Sequence, residues 1–270
     1  MESWIILSKE QKLFLKKYKL NKMLVLFIQI FIVIFFIGLW EFLSVNNYIN
    51  SFIFSSPSKV CKTIYRLFLD NELFHHIFVT LYETLIAFGI GMLISIVLST
   101  MLYLYEPLYK VLDPFITALN SLPKVALGPM IIIVAGANIK SVILMAVLIN
   151  VIVSTVVITN GFYSTDTVRL KLLKSFKATK FQILRYLVIP SSFNTIISSF
   201  KLSISMSLIG VISGEFLTSS SGIGYLIIYG TQVFNLDLVV SGIVLLVILS
   251  SLLYFVVLKI EKLLIKKRTN

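Results

Sequence analysis

Val168-Arg169-Leu170-Lys171-Leu172-Leu173-Lys174-Ser175-Phe176-Lys177-Ala178-Thr179-Lys180-Phe181-Gln182-Ile183-Leu184-Arg185-Tyr186-Leu187-Val188-Ile189-Pro190 is a basic, helix-compatible stretch set between long apolar runs. Those runs are long and apolar enough to cross a bilayer, and charges at bilayer depth are costly. The basic stretch must therefore be a surface exposed on one side of the membrane. Such a surface can dock a soluble partner, which suggests a membrane subunit driven from outside itself.

Composition agrees with that reading. The 270 residues are 58% hydrophobic and 13% charged, with a mean hydropathy of +0.97. Soluble domains carry about 25% charged residues, and so large an apolar surplus cannot be hidden in one soluble core. The class is integral membrane. The net charge of +12 reads as topology rather than nucleic-acid binding, because the basic residues cluster beside apolar spans. Cys61 is the single cysteine; it excludes an intrachain disulfide and reads as an inert thiol. Residues 1–22 are too charged and too long for the first region of a cleaved signal peptide, so the apolar run after them reads as a retained span.

Six spans are expected, at 23–45, 78–103, 122–136, 141–162, 191–212 and 238–258. The third is short and holds Pro123, Lys124, Gly128 and Pro129, which suggests a bent or partly re-entrant segment. The fold class is thus all-α, with a 1–22 terminal segment and one transmembrane domain over 23–270. Basic residues fall in three clusters: Lys9, Lys12, Lys16, Lys17, Lys19 and Lys22; Arg169 through Arg185; and Lys259, Lys262, Lys266, Lys267 and Arg268. Lys110, in the short loop after the second span, shares their side. Lys59, Lys62, Arg66 and Lys140 fall on the other. The positive-inside bias places both termini and the basic loop in the cytoplasm, and only an even number of spans lets the clusters agree. Residues 46–77 are then external, with an amphipathic stretch over 60–74. No internal repeat is visible.

Within the basic loop, at about 100° per residue, Lys171, Lys174 and Lys177 fall toward one side of a helix and Leu172, Leu173 and Phe176 toward the other. Lys180 and Phe181 break that division. Pro190 should end the helix, since it lacks an N–H. The loop reads either as an amphipathic helix on anionic headgroups or as a docking helix for a cytoplasmic motor. Elsewhere, Glu215 in the fifth helical region is a structural hydrogen-bonding group or a gate. Lys201 either snorkels to headgroups or attracts an anion. Asn120, Ser121, Asn150, Ser154 and Thr155 either bond between helices or line a path. Gly222 and Gly224 permit a tight turn or close helix approach. His75 and His76 have no carboxylate-rich partner cluster, so no metal site is expected.

Several motifs carry a family resemblance. In the loop, Lys177 stands at a glycine position, Ala178-Thr179 at the small residues after it, and Pro190 at the expected proline. Lys171-Leu172-Leu173 replace the Glu-Ala-Ala of that pattern. Ser55-Ser56-Pro57-Ser58 and Val60 follow the first span; Thr80-Leu81 and Glu83 precede Gly89 and Gly91. Leu112-Asp113-Pro114-Phe115 precedes Leu122-Pro123-Lys124-Val125-Ala126-Leu127-Gly128-Pro129, and Ser213-Gly214-Glu215-Phe216 precedes Ser221-Gly222-Ile223-Gly224-Tyr225-Leu226. From about Trp40 onward the chain resembles the permease subunits of ABC importers, in particular the nitrate/sulfonate/taurine group.

The resemblance implies a type I importer permease fold in a bacterial plasma membrane. Two copies would line a translocation path. Two ATPase subunits, binding ATP and Mg, would grip the coupling loop at about 164–190, here through Lys171, Leu172, Leu173, Lys177, Ala178, Thr179, Phe181 and Pro190. An extracytoplasmic binding lipoprotein would deliver a small anion such as nitrate, a sulfonate or taurine, or else a vitamin precursor such as a thiamine-related pyrimidine. Candidate path residues are Asn120, Asn150, Ser154, Lys201 and Glu215. The chain has no phosphate-binding Gly-x-x-x-x-Gly-Lys-Ser/Thr loop, so hydrolysis is expected elsewhere, with no cofactor and no catalytic residue here. An ion-coupled secondary transporter is the competing class, though its usual inverted repeats are not visible.

Overall fold

A computed structural model describes residues 9–269. Residues 1–8, and the side chains of Lys9, Lys12, Lys16, Lys267 and Arg268 used above for sidedness, lie outside what is described. The chain divides into two units, 1–62 and 63–270. All regular elements among the described residues are helical.

The first unit is built on α1 (Lys9–Val45). Its run of Leu, Ile, Val and Phe is unbroken by proline, and its described apolar side chains stay exposed up to Leu39, as a lipid-facing helix requires. Left-handed Asn47 turns the chain after it. Asn50 then caps the short α2 (Ser51–Phe54) by accepting the Phe52 N–H at 2.9 Å. Ser44 donates to the Ser55 carbonyl at 2.9 Å, and Glu41 accepts the Ser58 N–H at 3.0 Å. Next comes α3 (Pro57–Leu69), with proline at its first turn.

The second unit contains α4 (Glu72–Leu104), α5 (Glu106–Ser121), a 3₁₀ turn at Lys124–Leu127, and α6 (Gly128–Ala135). These lead to α7 (Ile139–Tyr163), α8 (Thr167–Ser175), α9 (Lys180–Ile183), a π-turn at Leu184–Val188, and α10 (Ile189–Thr218). The last two are α11 (Ile223–Gln232) and α12 (Leu236–Thr269). Helices α4, α7 and α10 form the centre. They approach closely because small residues face each other: Gly210 lies on Ala146, and Gly214 on Val142. Leu245, Leu249, Leu253 and Val257 of α12 pack with Ile204 and Leu208 of α10 and with Leu226 of α11.

Among the described residues, by length and composition, five helices can cross a membrane, or six if the α5–α6 pair counts as one broken span. That agrees with the expected class and number. Several details differ. The third span was expected to begin at 122 after a loop. The chain instead forms α5 from Glu106, since Pro107 suits a helix's first turn, and then bends 96° into 124–135. The amphipathic stretch expected over 60–74 stops at Leu69; left-handed Asn71 breaks it, and Phe74 belongs to α4. Pro190 does not end a helix. The chain widens into a π-turn and Pro190 sits in the first turn of α10, where a missing N–H costs little.

Candidate functional site

The basic loop folds as two capped helices. Asp166 starts α8 by accepting the Val168 N–H at 2.8 Å. At its end the Lys177 N–H reaches the Lys174 carbonyl at 2.9 Å and the Ala178 N–H reaches that of Leu173 at 3.1 Å. This is a Schellman ending, which needs a left-handed residue and favours glycine. Lys177 occupies that position with φ 58°, so the residue at the family's glycine position also adopts the glycine conformation. Lys177 therefore lies beyond the helix and does not share a face with Lys171 and Lys174. Thr179 then caps α9 reciprocally: its hydroxyl accepts the Gln182 N–H, and Gln182 Oε1 accepts the Thr179 N–H at 2.7 Å.

Leu170, Leu173 and Ala178 anchor this unit on Phe162, Ile183, Leu184 and Val188. The opposite face is more apolar than the sequence pattern suggested. Leu172 is 56% exposed, Phe176 73% and Phe181 59%. Lys171, Lys174, Lys177 and Lys180 are exposed around them. A rigid, basic surface studded with bare aromatics can bind a partner. Pro190 lies where this unit passes into α10.

The expected path residues separate into three places. Asn150 and Ser154 sit at the α4–α7–α10 contact. Asn150 is fully buried and saturated: its amide donates to Ser207 Oγ at 2.9 Å and the Ala87 carbonyl at 3.4 Å, and its Oδ1 accepts from Ser154 at 2.7 Å and Ser203 at 2.6 Å. A Cβ at Gly91 would strike it. Lys201 lies elsewhere, between α10 and α12, paired with Glu261 at 2.9 Å; Ser198 also donates to Glu261 at 3.1 Å. Asn120 is exposed near the α5–α6 bend, its carbonyl accepting from Lys124 at 2.7 Å.

Glu215 is 1% exposed at the far end of α10. It gathers Thr80 and Glu83 of α4 and the start of α11. Nearby, His76 Nδ1 accepts the Gly222 N–H at 3.0 Å. Gly222 has φ 106°, and a Cβ there or at Gly224 would collide with the Glu215 carboxyl. The tight turn expected of these glycines is thus present. Sequence reading missed Thr80, Glu83 and His76 as neighbours of Glu215, and Glu261 as the partner of Lys201. A membrane-depth acid within a Thr-x-x-Glu spacing was the available signal for Glu83. Among the described residues no group of three or more His, Cys, Asp or Glu is placed to hold a metal.

Buried polar contacts between long apolar helices, with a capped basic unit outside them, define a multi-pass helical membrane protein. Residues 87–270 match the family described as the binding-protein-dependent transport system inner membrane component, and the chain belongs to that family. It is similar to a Haemophilus influenzae protein named a probable ABC transporter permease protein (28% identity, covering 80% of this chain and 88% of the relative). A formylaminopyrimidine transport permease protein, ThiX, of Halalkalibacterium halodurans is 26% identical over 63% of this chain and 68% of its own. The Escherichia coli taurine transport system permease protein TauC is 23% identical over 69% and 68%. A chain of the MetNI methionine ABC transporter, solved in inward-facing conformations, superposes with TM-score 0.61 at 19% identity, over 69% of this chain and 93% of that one; it shares the fold. The protein is a permease subunit of an ABC importer, the inner membrane component of a binding-protein-dependent transport system.

Proposed function

We propose that this chain, paired with a second copy in a bacterial plasma membrane, forms the path by which a small sulfonate- or taurine-like anion enters the cell, and that residues 164–190 receive the stroke of a cytoplasmic ATPase. The observation that carries the coupling role is the loop's two-sided build. Leu173, Ala178 and Ile183 fix it to the bundle, while Leu172, Phe176 and Phe181 remain bare among lysines. Exposed apolar patches mark protein or membrane interaction sites, and the resemblance of this loop to the ATPase-coupling loop of the family favours a protein partner. The caps at Asp166, Lys177 and Thr179 keep the two helices stiff, and the π-turn joins them to α10 without a break. A push on the loop therefore travels into α10 and the helices packed on it. ATP and Mg act in the partner subunit. The basic clusters support a cytoplasmic loop and cytoplasmic termini.

The pyrimidine alternative has one observation in its favour. Lys201 is neutralised by Glu261, so an anion meets a paired cation there rather than a free one. Reconstitution of the permease with its ATPase and binding protein in proteoliposomes tests both readings. ATP-dependent accumulation of labelled taurine or alkanesulfonate is expected. Accumulation of a formylaminopyrimidine alone transfers the assignment to the vitamin-precursor class. Uptake driven by an ion gradient, indifferent to ATP, refutes the importer reading.

A further inference from the structure

The cluster around Glu215 admits a finer reading from hydrogen-bond accounting. A threonine hydroxyl has one hydrogen. Thr80 Oγ1 accepts the Ile223 N–H at 2.8 Å, leaving its hydrogen for Glu215 Oε1 at 2.7 Å. The Gly224 N–H donates to Glu215 Oε2 at 2.6 Å, and the Tyr225 N–H donates to the same carboxyl. Both oxygens are thus occupied as acceptors, at the N-terminus of α11, where free N–H groups and the helix dipole favour negative charge.

The Glu83 carboxyl lies within hydrogen-bonding reach of that same carboxyl. A hydrogen bond between two carboxyls needs a proton, and two adjacent buried carboxylates cannot both ionise without a cation. Among the described residues no lysine or arginine pairs with Glu83; the charged group acting on it is Glu215. His76, also on α4 and bonded to the start of α11, accepts at Nδ1 and is therefore neutral as placed. Glu83 is 1% exposed, and its Oε2 lacks a hydrogen-bond partner. That is costly for a carboxylate and mild for a neutral acid.

We propose that Glu83 holds a permanent proton and donates it in a hydrogen bond to an ionised Glu215, and that this unsymmetrical pair positions α11 by capping its first turn. The two carboxyls are then not interchangeable. Glu83 serves as a donor, a role that an amide can fill. Glu215 serves only as an acceptor, and a glutamine there turns an N–H₂ toward groups that are themselves donors. The inference rests on this local geometry and holds whichever solute crosses.

Infrared difference spectroscopy of the assembled transporter in lipid at neutral pH tests it. Wild type should show the carbonyl stretch of a protonated carboxylic acid. Glu83→Gln should lose that band and keep the wild-type thermal midpoint. Glu215→Gln should keep the band, shifted, and lower the midpoint. If Glu215→Gln cannot be recovered from membranes, the wild type minus Glu83→Gln difference decides alone. Absence of the band in wild type, its survival in Glu83→Gln, or its loss in Glu215→Gln would overturn the assignment.

Discussion

The two ends of α10 treat charge in opposite ways. At its beginning the helix emerges from a loop whose lysines, Leu172, Phe176 and Phe181 face outward. At its end Glu215 is sealed in, and its acceptors are filled by the chain's own Thr80, Gly224 and Tyr225. At that end the Glu215 carboxyl is satisfied from within the chain. The other is folded and capped yet leaves apolar side chains in solvent. The difference fits the proposed coupling role, since bare apolar surface is left at the loop and not at the Glu215 cluster.

Breaking the Glu215 end should have the largest effect. Glu215→Ala leaves several buried N–H and O–H donors unanswered, each costing on the order of 1–3 kcal/mol. The expected result is loss of detergent-extractable, folded protein, read by size-exclusion profile and thermal midpoint. Recovery at wild-type yield and midpoint would deny Glu215 its structural role.

A middle-sized effect is expected at the centre of the bundle. Asn150→Leu removes the shared partner of Ser154, Ser203 and Ser207. Interhelical hydrogen bonds in membranes are worth roughly 0.6 kcal/mol each, up to about 1.7, so the midpoint should fall by less than with Glu215→Ala. Lys201→Met should also destabilise, by leaving Glu261 buried without its cation, and adding Glu261→Gln should restore most of the loss. If the double variant is no better than the single, the ion pair is not what holds α12 there.

At the loop end, stability should hardly move. Lys177→Gly puts the preferred residue at a left-handed position and should raise the midpoint slightly, by at most about 1 kcal/mol. A fall would mean that the lysine side chain holds the turn.

The loop was legible in sequence because its determinants are local. The glycine position at Lys177 and the small residues after it act within a turn of themselves, whereas the Thr179 cap was not read and Pro190 was placed at a helix end that the π-turn removes. Leu172 and Phe176 were assigned to one apolar side with Leu173, because periodicity cannot tell an anchored leucine from a bare one. The Glu215 cluster was not legible in this way: Thr80 and Glu215 are 135 residues apart, and only folding brings them together. Glu261 was hidden differently, as a lone acid among the basic residues of the last helix. The third span was misplaced because Glu106-Pro107 looks like loop punctuation, whereas proline is also a helix starter.

The most direct test of the central claim is purification of this chain from its native membrane in mild detergent, with mass spectrometry of what accompanies it, for wild type and for Lys171→Glu with Lys177→Glu. A nucleotide-binding subunit should come with the wild type and be lost, or sharply reduced, with the charge-reversed loop, while the permease itself elutes unchanged. Recovery of the chain alone across gentle conditions would contradict the account, and undiminished ATPase with the reversed charges would remove the lysines from the docking surface.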